Sequence, residues 1–178
     1  MLFRSGRGAT PAKVVINGDV TISGTAGGTA KIVAESGTAA SGVVDFGNGI
    51  RTITVANGTA AIDLQVSVPL TNGGLIKAGP GTMLLAGAST YSGSTTVRAG
   101  TLVLGTNGTV TPSPLVRVES GAVLDVTQKA GGYTIAAGQT ISGSGTLLGS
   151  INLSGGVLGM STLAIGTASG SEEHTSEL

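Results

Sequence analysis

The sequence predicts an all-β chain wound as a right-handed parallel β-helix, a solenoid of about seven turns with no substantial helix. Three observations lead there. Short apolar runs rich in β-branched residues recur along the 178 residues, punctuated by glycine, serine and asparagine. Aromatic residues are only 2% of the chain (two Tyr, two Phe, no Trp), so a core must be built from Val, Leu, Ile and Ala. A G-x-L phrase returns at irregular gaps of 7 to 24 residues, at Gly74-Leu75-Ile76, Gly81-Thr82-Met83, Gly100-Thr101-Leu102, Gly121-Ala122-Val123 and Gly145-Thr146-Leu147, which is a loose repeat.

The elements follow in order. Residues 1–12 form an irregular start: Arg4, Gly6, Arg7, Gly8 and Pro11 break it, and its apolar part is far shorter than the roughly 7–15 residues of a secretory leader. From residue 13 to 170 the texture is uniform. Candidate strands are KVVI, DVTIS, AKIVA, GVVDF, IRTITV, TAAIDLQV, GLIK, TMLLA, STTVR, TLVL, LVRV, AVLDV, YTI, QTI, TLL, INL, GVL and TLAI. Alternation gives each strand two faces. Ile53 and Val55 share one side with Arg51, and Ile50, Thr52 and Thr54 share the other. Ile62, Leu64 and Val66 face in, while Asp63 and Gln65 face out. Leu75, Met83, Leu85, Val97, Leu102 and Leu104 occupy one parity and are expected to line a single aliphatic tube. No stretch carries an apolar stripe at helical spacing without glycine breaking it.

A sandwich or barrel also accepts many short strands, but the scarcity of aromatics favours stacked coils, whose narrow interior seldom admits Tyr or Trp. Glycine, 32 residues, suits the tight bends between faces. Parallel crossovers are right-handed. At roughly 20–25 residues per turn, residues 13–170 make about seven turns and a rod of roughly 30–35 Å.

The last eight residues, SEEHTSEL, differ from everything before them: acidic, glycine-free and holding the lone histidine. They resemble the translation of a synthetic DNA-sequencing adapter; a natural acidic tail is the other reading. Setting 171–178 aside as non-native leaves nine basic and six acidic residues, net +3, with no histidine, and implies that the natural chain continues. The balanced, sparse charge offers no footprint for nucleic acid. Without cysteine there is neither a disulfide frame nor a thiolate metal site. No apolar run reaches the roughly 20 residues of a membrane-spanning helix.

Residues 73–105 read GGLIKAGPGTMLLAGASTYSGSTTVRAGTLVLG. Gly73-Gly74-Leu75-Ile76-Lys77, Gly79-Pro80-Gly81-Thr82-Met83-Leu84-Leu85-Ala86-Gly87, Ser89-Thr90-Tyr91-Ser92-Gly93 and the run from Thr95 to Leu104 follow one pattern. This stretch resembles the passenger-associated transport repeat, also called the autotransporter-associated beta strand repeat. It departs at Met83, where Leu is usual, and at Leu84, where a polar residue usually faces out. The flanks over 19–166 share the style more loosely. The resemblance implies a β-helical stalk segment of a secreted or surface-exposed bacterial protein, exported across an outer membrane, that assists passenger folding and export; adhesion would belong to its loops or to further domains. It also implies a membrane barrel or other anchor in the same polypeptide; whether a host or surface glycan is a ligand stays open.

Candidate chemistry is sparse, and no catalytic, cofactor-binding or metal-binding residue is assigned. The acids outside the tail are Asp19, Glu35, Asp45, Asp63, Glu119 and Asp125. Asp45, Asp63 and Asp125 stand between apolar neighbours and are expected to point outward, solvated and singly placed. A stacked Asp45/Asp63 pair is the one arrangement suited to paired-carboxylate chemistry, and it carries the alternative reading: part of a β-helix polysaccharide lyase or hydrolase. A Ser-His-Asp triad lacks its histidine. GSGTLLG lacks the ending of a phosphate loop, and the calcium-binding nonapeptide is missing. Asn57, Asn107 and Asn152 match the glycosylation sequon, a pattern that glycine-rich turns also produce. Tyr91 and Tyr133 are candidate sugar-stacking rings, with Tyr91 more suited to covering a bend. Thr52-Ile53-Thr54 and Thr109-Val110-Thr111 fall short of an ice-binding ladder. The expectation is a non-enzymatic chain without cofactor. With no capping helix at either end, it is prone to end-to-end self-association.

Overall fold

The computed structural model describes residues 2–3 (backbone alone), 12–24, 27–34 and 42–164. The readings of the remainder of 1–12, of Glu35 and of the 171–178 tail lie outside the described residues.

Among the described residues, eighteen strands and no helix fall into seven successive coils. The first holds β1 (Leu2–Phe3), β2 (Lys13–Val15) and β3 (Val20–Ile22); the second β4 (Ala30–Ala34), β5 (Val43–Asp45) and β6 (Ile50–Val55); the third β7 (Leu64–Val66), β8 (Leu70–Thr71) and β9 (Gly74–Ala78). The fourth has only β10 (Thr82–Leu85) and β11 (Thr95–Val97), and the fifth only β12 (Thr101–Leu104) and β13 (Leu115–Val118). The sixth has β14 (Val123–Asp125), β15 (Tyr133–Ala136) and the first half of β16 (Thr140–Leu148). The seventh runs through the second half of β16, β17 (Ile151–Ser154) and the start of β18 (Val157–Ala164). Every strand pairing is parallel. The chain is a parallel β-helix.

The strands make three faces. One stacks β1-β4-β7-β10-β12-β14-β16, and another stacks β3-β6-β9-β11-β13-β16. They merge because β16 bends from one to the other at the GSGTLLG segment. Gly143 makes that bend with φ +133°, and a Cβ there would overlap the Val118 carbonyl, so only glycine serves. The third face is broken: β2-β5-β8 lie before the gap and β15-β17 after it. Register partners on successive coils lie between 16 residues apart (Leu147 and Leu163) and 34 (Ala30 and Leu64), a wider spread than a uniform repeat gives. The extra length falls between strands.

Register aligns like with like. Leu64, Met83, Leu102, Leu124 and Leu147 stack in one column, and Val66, Leu85 and Leu104 in the next. All eight are fully buried. The six residues expected to line the tube each have 0% exposure. At about 1.5–3 kcal/mol per buried aliphatic side chain, these columns are the main source of stability. Gly81, Gly100, Gly121 and Gly145 all stand at the corner that opens the first face in coils four to seven, so the G-x-L phrase marks one corner; Gly74 opens a second-face strand instead.

The tube is not purely aliphatic. Phe46 and Tyr91 are both buried, with ring centroids 6.1 Å apart at 48°. Tyr91 belongs to a coil with no third-face strand, and its ring fills the interior there.

Candidate functional site

The repeat stretch builds coils three to five, and its fixed residues make the joints between them. Gly73 has φ +90°, and a Cβ on it would sit inside the Gly49 carbonyl of the coil below. Gly79, at φ +77°, has the same relation to Val55. Thr95 is buried and its hydroxyl meets the Tyr91 hydroxyl at 2.9 Å. Burial pushes the Tyr91 phenol well above its ordinary value, and the Thr95 bond opposes this.

Lys77 is the polar centre of the stretch. Alternation along β9 places it on the same side as Leu75, inside the tube, with no exposure. Its register partners on the neighbouring coils are Ile53 and Val97. The ammonium donates to three carbonyls, Ala78 at 3.1 Å, Gly79 at 2.7 Å and Ala99 at 2.8 Å, so it ties one corner to the next coil. Three donors meeting three acceptors satisfy a buried charge. Burial pulls its pKa from 10.5 down to about 8, while the Asp63 charge acts the other way.

The acids differ from expectation at two positions. Asp63 is 6% exposed, not solvated: one oxygen accepts the Gly58 N–H and the other the Thr82 N–H, both at 2.7 Å. It precedes β7 and lies at a corner, where strand alternation no longer governs direction. Asp45 is 3% exposed; Gly47 N–H (2.7 Å) and the Asn72 amide (2.9 Å) donate to it, and Lys13 pairs with it. The Lys13 bond, then the Gly47 bond, hold its carboxyl below the usual carboxylate range. The two do not stack, since Asp45 lies on β5 of the third face and Asp63 leads into β7 of the first. Asp125 accepts from the Thr127 N–H and hydroxyl, Asp19 from the Thr52 N–H, and Glu119 lies 3.9 Å from Arg98. Each of these acids serves the backbone or one partner, and among the described residues no three metal-ligating side chains converge.

Neither tyrosine offers a stacking platform. Tyr91 is 1% exposed and Tyr133 4%, because each ring is turned into the tube. Asn57 and Asn107 are exposed between strands, while Asn152 is exposed on β17 and donates to the Gly131 carbonyl at 2.6 Å. Thr52 and Thr109 lie on different faces and form no ladder.

Lys77 and Gln139 are the long polar side chains whose burial the sequence analysis does not anticipate. Lys77 had a signal, its parity with Leu75. Gln139 had none: it precedes β16, and its amide donates to Val110 at 3.0 Å, Ser113 at 3.0 Å and Thr111 at 3.4 Å while accepting from the Tyr133 hydroxyl.

This geometry defines a stacked-coil rod whose buried polar groups bind its own backbone. Residues 75–104 match the family model described as passenger-associated-transport-repeat. The chain therefore carries an autotransporter passenger repeat, and it occupies the coils joined by Lys77 and the corner glycines. No curated protein matches the chain, and no solved structure does.

Proposed function

We propose that this chain is a stalk segment of an exported bacterial surface protein: it spans distance, and its coils assist passenger folding as they emerge. The observation that carries this reading is the coincidence of the repeat with inter-coil joints. Residues 75–104 supply Lys77, Gly79, Gly93 and Gly100, which link each coil to the one before or after it. A chain leaving a membrane pore can add one coil at a time, because each coil buries its apolar side chains against its neighbour. Adhesion falls to the turns, and the membrane barrel or anchor to the same polypeptide.

The test is export. The chain is placed between a secretion leader and an outer-membrane barrel, with and without 75–104, and the surface-exposed, protease-resistant fraction is measured on whole cells. The proposal expects the intact chain at the surface and resistant, and the deleted one retained or degraded. Equal display and equal resistance of the two forms contradicts it.

A further inference from the structure

The third face is broken in coils four and five, and in coil five the break has a chemical cause. Pro112 and Pro114 have no N–H to give to a ladder, and residues 105–114 cross the face without a strand. Gly105 donates to the Leu85 carbonyl at 2.8 Å as the segment leaves the first face, and Pro114 accepts from Thr140 as it enters the second. Between those anchors, residues 106–113 make no backbone hydrogen bond to another coil; their two backbone bonds, Gly108 to Gly105 and Ser113 to Val110, are local.

Side chains of coil six hold the segment instead. Gln139 binds the carbonyls of Val110, Thr111 and Ser113. Lys129 donates to Thr106 at 3.1 Å and to Gly108. The Tyr133 hydroxyl donates to the Gln139 amide oxygen and so orients this latch. Behind the segment lies a cleft of about 210 Å³ lined by Thr109, Thr111, Lys129, Tyr133, Thr134 and Ala136. Val110 closes the tube beneath it with no exposure.

We propose that residues 105–114 form a strap over the side of the rod, which opens locally while the ladders of coil five stay intact, and which Gln139 and Lys129 latch shut. A strand on the same coil is held by neighbours on both sides, as β12 is by β10 and β14. Between its anchors at Gly105 and Pro114, the strap is hydrogen-bonded to neighbouring coils only by side chains of coil six. Opening exposes Val110 and Tyr133 and so creates a lateral entrance to the apolar interior without unwinding the rod.

Hydrogen exchange read by mass spectrometry on the whole chain tests this, with Gln139→Leu and Lys129→Met as separate variants. The strap amides are expected to exchange at least about tenfold faster than those of β10 and β12 in the unaltered chain. Each variant should speed the strap further and leave β10 and β12 unchanged. Strap amides as slow as those of β12 overturn the proposal, and so does a variant that speeds all coils equally. If Gln139→Leu does not fold, its side chain belongs to the global core and the latch role is lost for it; Lys129→Met, on a partly exposed residue, then decides whether the strap opens independently.

Discussion

Lys77 sets a sign that can be measured. Its ammonium is buried beside three carbonyls, and its pKa in the folded chain is about 8 against 10.5 for a free side chain. Between those values the unfolded chain binds more protons than the folded one, so stability rises with pH. Below pH 8 both states are protonated and the full burial cost applies. From pH 8 to pH 10 the gain is about 2 kcal/mol as a ceiling, since solvent near the corner screens part of it. Lys129, whose pKa burial also lowers, adds to the same trend. Above about pH 10 the trend reverses. Tyr91 and Tyr133 are held protonated by burial, so the unfolded chain loses those protons first. Urea unfolding followed by circular dichroism at pH 7.5, 9, 10 and 11 should therefore show a maximum near pH 10. Lys77→Met should remove most of the rise and leave the fall. Stability that is flat or declining from pH 8 to 10, or a Lys77→Met chain with an undiminished rise, refutes the reasoning.

Other outcomes follow from single contacts. Leu102→Asp places an unpaired carboxylate in the central column and should abolish cooperative unfolding, because its cost of several kcal/mol rivals the margin of a whole domain; Leu102→Ala should cost about 2–5 kcal/mol in the same melt. Gly73→Ala should lower stability by roughly 2 kcal/mol or more, since it meets both an unfavourable φ and the Gly49 carbonyl. Asp63→Ala strands the Gly58 and Thr82 N–H groups and should cost about 2–4 kcal/mol, with Asp63→Asn recovering part of it in denaturant titrations. Tyr91→Phe leaves the buried Thr95 hydroxyl without its partner and should cost about 1–2 kcal/mol in thermal unfolding.

The strands were legible because period-two alternation and glycine punctuation are local signals. TMLLA and TLVL became β10 and β12, and the inward parity of six residues fixed the central columns. QTI and TLL look like two strands but form the single β16, because Gly143 and Gly145 let one strand turn a corner that glycine elsewhere ends. β8, two residues long, is too short to alternate. The polar interior was harder to read. Asp63 and Asp45 look outward by alternation, yet each sits at a strand boundary, where its direction depends on a nearby loop N–H (Gly58, Gly47) together with distant partners, Thr82 for Asp63 and Asn72 and Lys13 for Asp45. Gln139 is tied to carbonyls 26 to 29 positions away, a relation that only the coil register creates. Tyr133, beside a glycine pair, reads as an exposed platform, whereas alternation along β15 turns its ring inward with Ile135; Tyr91, suited by sequence to covering a bend, fills the interior of a coil without a third-face strand.

The central claim is that residues about twenty apart are stacked one coil apart along a rod. Thr52, Thr96 and Ser142 share one outward column on coils two, four and six. Spin labels on cysteines at those positions measure it by pulsed and continuous-wave electron resonance. At roughly 4.8 Å per coil, the column predicts backbone separations of about 10 Å for Thr96 with Ser142 and about 19 Å for Thr52 with Ser142. Distances that grow with the number of coils in this proportion support the stack; distances that do not scale with coil number contradict it.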